Sequence, residues 1–160
     1  MLKICLIGAG RAGMIHARNF FNRVPNTRLA AVCDPVFESA EAASRELGGC
    51  DCFKDYNQAT GQGDFDAVVI ATPTKYHKEI AIAAANAGKH ILCEKPMAMN
   101  ADECQAMITA AAENNVKLQI GFMRRFNKDF LLAKQRLDAG EIGHVVTVRS
   151  LTYGPKENLY

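Results

Sequence analysis

Charge of one sign, long apolar runs, metal-ligand spacing and repeats are all scarce or missing from this sequence, and each gap removes a class of function. Nineteen Lys and Arg against 17 Asp and Glu leave a formal charge of +2. That is too small to draw the chain to nucleic acid or to an anionic membrane, and Arg124-Arg125 is only a pair. The longest apolar stretches are too short to span a bilayer, and Ala81 to Ala87 is broken by Asn86. No basic start, apolar segment and cleavage site stand ahead of the first predicted strand, which opens at Leu2, so a cytoplasmic protein is expected. No solenoid period and no low-complexity segment is visible.

Cysteine is present but not in a metal-binding pattern. Among six cysteines, Cys50-Asp51-Cys52 has no second pair at zinc-ligand spacing, so no metal is expected. Cys5, Cys33 and Cys93 fall in predicted buried strands, where a thiol behaves as a small hydrophobe. Free thiols in a reducing compartment follow.

What remains is globular composition, 49% apolar and 22% charged over 160 residues, sufficient for one core. The apolar run Leu2 to Ile7 leads directly into Gly8-Ala9-Gly10-Arg11-Ala12-Gly13 and then into helix-forming residues. Strand, tight turn and helix start in immediate succession are what a dinucleotide site needs. Gly8 makes the turn, Gly10 lets the backbone approach a pyrophosphate, and Gly13 lets the helix pack on its strand, while the helix N-terminus presents free N–H groups and partial positive charge. An acidic residue is then expected about 20 residues on, at the end of the next strand. Asp34 closes Leu29-Ala30-Ala31-Val32-Cys33 at that point. Its carboxylate can accept both ribose hydroxyls and repels a 2′-phosphate, which favours NAD over NADP. The alternative role for Asp34 is helix entry ahead of Pro35.

Strand and helix alternate from there. Helices are predicted over Arg11 to Asn22, Phe37 to Leu47, Tyr56 to Ala59, Tyr76 to Ala87 and, capped by Asn100, Ala101 to Asn114. Strands are predicted around Cys52-Phe53 and over Phe65 to Ile70, His90 to Cys93 and Val116 to Ile120. Six strands with intervening helices make a complete α/β doubly wound parallel sheet, a Rossmann domain over residues 1–121. Right-handed crossovers place Gly8, Asp34, Ala71-Thr72-Pro73 and Glu94-Lys95-Pro96 on one rim. Beyond Gly121 the pattern changes to a helix over Asn127 to Ala139, a turn at Gly140 to Gly143, and a strand over Val145 to Leu151 with no evident partner. Residues 122–160 therefore read as a truncated C-terminal α/β extension, the opening of a second domain.

Two rim segments carry further candidates. In Ala71 to His77, Pro73 stiffens a turn, Thr74 is placed to cap a helix, and His77 is either a surface residue or one facing the ligand rim. Lys95 can approach a reacting hydroxyl, its pKa open to tuning by burial or a neighbouring cation; the alternative is a surface lysine paired with Glu94.

These stretches, together with Ala87-Gly88-Lys89-His90, Gly121 to Phe126 and Gly140 to Gly143, resemble in order the Gfo/Idh/MocA family of oxidoreductases. The resemblance covers nearly the whole chain. It implies a nicotinamide cofactor, which Asp34 makes NAD rather than NADP, and hydride transfer to or from a secondary hydroxyl of a polyol, inositol or sugar-like substrate. It places Lys95 near the reacting centre, has Gly8, Gly10, Arg11, Ala12, Asp34, Thr72, Pro73, His77, Glu94 and Lys95 line the cofactor, and brings Arg125 towards substrate. Members are about twice this long, and their catalytic Asp and His pair lies in a second domain that nothing here matches; His144 falls ahead of where the pair would stand. Two alternatives accompany this reading. One is a catalytically inactive nucleotide-binding or regulatory module lacking a substrate domain. The other is a homo-oligomer formed by pairing of the exposed terminal strand.

Overall fold

A computed structural model describes residues 1–151. The chain divides into two compact units, Met1–Phe122 and Met123–Tyr160. The last nine residues of the predicted extension, 152–160, lie outside the described residues.

In the first unit, β1 (Leu2–Ile7), β2 (Thr27–Cys33), β3 (Asp51–Phe53), β4 (Ala67–Ile70), β5 (His90–Cys93) and β6 (Leu118–Ile120) pair in parallel in the order β3-β2-β1-β4-β5-β6. This is the doubly wound order, with its direction of winding reversed between β1 and β4. The connections are α1 (Arg11–Asn22), α2 (Phe37–Glu46), α3 (Tyr56–Gln62), α4 (His77–Asn86) and α5 (Ala101–Glu113).

Strand side chains alternate between two cores. Ile4, Leu6, Val32 and Val69 pack with Ala17 of α1 and Ala40 and Ala43 of α2. Cys5, Ile7, Cys33, Val68, Ile70 and Cys93 pack on the other face with Ile80, Ala81 and Ala84 of α4 and Met107 of α5. Burial on both faces explains why these strands read as continuous apolar runs, and alanines on the inner helix faces let the helices lie close to the sheet.

Boundaries shift where tertiary contacts outweigh local pattern. Phe65, predicted to open β4, precedes the strand but is buried in the core. Thr74 does not cap a helix; it begins a 3-10 turn, Thr74–Tyr76, and α4 starts at His77. Asn100 does cap α5, its side chain accepting from the Glu103 N–H at 2.9 Å.

The second unit holds a 3-10 turn, Met123–Phe126, and α6 (Lys128–Asp138), capped by the Asn127 side chain, which accepts from Asp129 and Phe130 N–H. The Arg124 guanidinium lies over the Phe130 ring, 5.2 Å from its centroid. No residue from Met123 to Leu151 is buried. The strand predicted over Val145 to Leu151 does not form. Strand character is a preference for a pleated, paired surface, and no partner strand is present among the described residues. Among those residues, too, no helix is long and apolar enough to cross a membrane, and no cluster of His, Cys, Asp or Glu could hold a metal ion.

Candidate dinucleotide-binding site

The strand register sets the site. Phe53, Cys33, Ile7, Ile70, Cys93 and Ile120 stand opposite one another across the sheet. The residue after each of five of these ends the ladder by donating its N–H to a neighbour in that row. Asp34 donates to Phe53 at 3.1 Å, Gly8 to Cys33 at 2.8 Å, Ala71 to Ile7 at 2.9 Å, Glu94 to Ile70 at 2.9 Å and Gly121 to Cys93 at 2.8 Å. The predicted rim residues therefore leave the sheet at one level, around the crevice where the winding reverses, which is where open α/β sheets bind ligands.

The glycine loop closes the floor of that crevice. Gly8 has φ +98°, and a Cβ there would lie 2.7 Å from the Ala71 carbonyl oxygen; a Cβ on Gly13 would lie 1.9 Å from the Gly8 oxygen. Neither position accepts a side chain without moving backbone. Gly10 differs, because nothing lies within 4 Å of the Cβ it lacks. It is the N-cap of α1, where no side chain caps the helix and no acid stands in the first turn. The first N–H groups of a helix have no partner within it, so this terminus is open to an anion. Arg11 and Ala12, the next two predicted cofactor residues, are exposed at its start.

Asp34 makes the helix-entry contact considered for it and, in addition, holds the glycine loop. Oδ1 accepts from the Val36 N–H at 2.9 Å, a helix-entry contact, and Oδ2 accepts from the Ala9 N–H at 2.8 Å, tying β2 to the glycine loop. A carboxylate offers about four lone-pair sites, so acceptor capacity remains for two hydroxyls.

A cavity of about 490 Å³ lies over this floor, lined by Gly8, Gly10, Asp34, Thr72, Pro73 and Tyr76 among others. The Thr72 hydroxyl oxygen is buried there without a hydrogen-bond partner. Cys33 also faces the cavity; burial, reinforced by the negative Asp55 and Asp34, pushes its thiol up to about 12, so it is an inert wall rather than a nucleophile. A more open groove of about 600 Å³ runs between α3 and α4 past Asn57, Lys78 and Asn86, but no strand end reaches it. Taken together, an uncapped helix terminus with open space before it, an orphaned hydroxyl and spare acceptors on Asp34 fit a dinucleotide.

Past β5, Glu94 is held on both oxygens. His16 Nε2 lies 2.7 Å from Oε1, and the Lys95 backbone N–H donates to Oε2 at 3.0 Å. The pairing of Glu94 with the Lys95 ammonium considered from sequence is thus replaced by pairing with His16. Lys95 is exposed, with no ion pair among the described residues. His16 is a residue beside the site that sequence reasoning missed, as is Tyr76 in the cavity lining; the local sign of His16 is its place three residues after Gly13, near the face of α1 turned to the sheet. His77 stands behind the Thr72–Pro73 wall, 1% exposed. Arg125 belongs to the second unit, exposed in its 3-10 turn.

The profile of the Gfo/Idh/MocA oxidoreductases, described as an oxidoreductase family with an NAD-binding Rossmann fold, matches residues 2–122. The chain belongs to this family. Among Gfo/Idh/MocA relatives it is 38% identical over 151 residues to the scyllo-inositol 2-dehydrogenase (NAD(+)) of Bacillus subtilis, covering 94% of this chain and 44% of that protein. It is 36% identical over 154 residues to the inositol 2-dehydrogenase of Salmonella typhimurium, covering 95% and 46%. Among solved structures, scyllo-inositol dehydrogenase from Lactobacillus casei with bound NAD(H) and scyllo-inositol superposes with TM-score 0.85 at 36% identity, over 89% of this chain and 42% of that one. The chain thus spans less than half the length of these relatives.

Proposed function

We propose that this chain is the cofactor half of an NAD-dependent dehydrogenase that moves a hydride between NAD and a secondary hydroxyl of a polyol, inositol or sugar-like substrate. The observation that carries the reading is the common level at which Gly8, Asp34, Ala71 and Glu94 leave the sheet beside the uncapped N-terminus of α1. In this reading the N–H groups from Gly10 to Gly13 hold the pyrophosphate, the free lone pairs of Asp34 take the adenosine ribose hydroxyls, and Thr72 and Pro73 form the wall. When bound, NAD supplies the hydride acceptor. Lys95 orients and polarises the substrate hydroxyl with its ammonium, and Glu94, held by His16, fixes the turn that carries it. The first domain extends over residues 1–121, and residues 122–160 open a second domain that brings Arg125 towards substrate. The names of the inositol dehydrogenase relatives support the substrate class.

Isothermal titration with each dinucleotide tests this. NAD is expected to bind at least about tenfold more tightly than NADP, since a 2′-phosphate meets the Asp34 carboxylate. No heat with either at millimolar concentration overturns the dinucleotide reading, and tighter NADP binding overturns the role of Asp34.

A further inference from the structure

His77 is buried at the first position of α4, and both of its ring nitrogens meet backbone carbonyls. Nδ1 stands 2.9 Å from the Pro96 oxygen and Nε2 2.9 Å from the Thr72 oxygen. A carbonyl oxygen only accepts, so each of these contacts calls for an N–H on the ring. Neutral imidazole has one N–H and one lone pair; the imidazolium has two N–H groups. A neutral ring would set a nitrogen lone pair against a carbonyl lone pair at hydrogen-bond distance, in an interior where a mismatched polar pair is most costly.

The two carbonyls belong to different loops. Thr72 follows β4 and Pro96 follows β5, and the last backbone bond between those strand ends is Glu94 N–H to Ile70. Beyond it the loops diverge, one as a wall of the cavity and the other as the turn that carries Lys95. We propose that His77 is a positioning residue carried as the imidazolium, whose two N–H groups fasten the Thr72–Pro73 wall to the Lys95-Pro96 turn. The charge is what makes the brace two-ended, since a neutral ring holds only one loop at a time. The brace itself stands on the geometry of the ring; its bearing on cofactor binding rests on the dinucleotide reading above.

Long-range proton–nitrogen spectra of the nitrogen-15-labelled protein read each ring nitrogen directly. The histidines are His16, His77, His90 and His144, so the signals lost in His16→Gln, His90→Gln and His144→Gln assign His77 by elimination without altering it. In the folded protein at neutral pH, both His77 nitrogens are expected at protonated-type shifts, with two slowly exchanging N–H protons. A lone-pair-type shift at either nitrogen overturns the inference. For the positioning role, NAD affinity of a folded His77→Gln variant is expected to fall about tenfold, and an unchanged affinity overturns it. If that variant does not fold, the His77 ring signals of the native protein are followed during NAD titration; they are expected to move, and unmoved signals overturn the role. Should the native protein bind no NAD, the functional reading and the positioning role fall together, while the ring spectra still decide the charge.

Discussion

Val68-Val69-Ile70 and Val145-Val146-Thr147-Val148 carry similar side chains and end in opposite surroundings. The first three are at most 2% exposed, whereas Val146 and Val148 are 87% and 78% exposed. β4 lies between β1 and β5, with helices over both faces, so each backbone group has a ladder partner and each side chain a packed neighbour. The segment in the second unit has β-branched residues but, among the described residues, no ladder partner. The lesson is that branched apolar residues state a readiness to pair; the pairing itself comes from the other strands.

This contrast can be broken or sharpened by substitution. Ile70→Ala, in the centre of the sheet, is expected to lower the unfolding free energy by about 2–5 kcal/mol, read as a reduced urea midpoint at unchanged slope. A loss below about 1 kcal/mol would mean that the first unit is packed no better than the second.

The buried thiols give a second difference between the units, since Cys5, Cys33 and Cys93 all lie in the first. Burial, first among the causes, pushes Cys33 and Cys93 up to about 12, with nearby carboxylates adding to it, while an unfolded chain ionises these thiols near the ordinary cysteine value of about 8.5. The unfolded state therefore sheds protons first. The contribution is whole below about pH 8.5 and is lost as pH rises towards 12. The thermal midpoint is expected to fall across that window, and to fall less steeply in Cys33→Ala and Cys93→Ala; parallel curves for variants and parent would exclude the thiols as the cause.

Gly10→Val separates binding from folding within the first unit. The new side chain meets open space, so stability should stay within about 0.5 kcal/mol, while NAD affinity drops about tenfold or more as the branched group occupies the approach to the α1 terminus. Equal loss of both would place Gly10 in the fold rather than the site. The smallest effect is expected at Val146→Lys, within about 0.5 kcal/mol in the same urea measurement; a larger loss would reveal packing on this valine.

Much of the candidate site's placement on the sheet rim was legible because its signals are local. Leu2 to Gly13 encodes strand, turn and helix start in consecutive residues, and Asp34 follows at the length of one helix and one strand. The alternation of apolar runs with helical segments was enough to order six strands. What stayed hidden depends on contacts across the chain. His16 and Glu94 are 78 residues apart, and no period or spacing links them until the sheet brings α1 beside the end of β5. For His77 the sequence left a surface residue and one facing the ligand rim as alternatives, because its burial involves the Thr72 and Pro96 loops rather than its own helix alone. The terminal strand failed for the opposite reason: local preference was clear and the partner it needed was absent among the described residues.

The bond from the Ala9 N–H to Asp34 bears on any attempt to redesign cofactor choice. Replacing Asp34 to admit a phosphorylated ribose also removes the 2.8 Å anchor of the glycine loop, so selectivity for one dinucleotide and grip on the phosphates common to both are coupled in a single carboxylate. An engineer who wants the first to change without loss of the second has to supply Ala9 with a new acceptor.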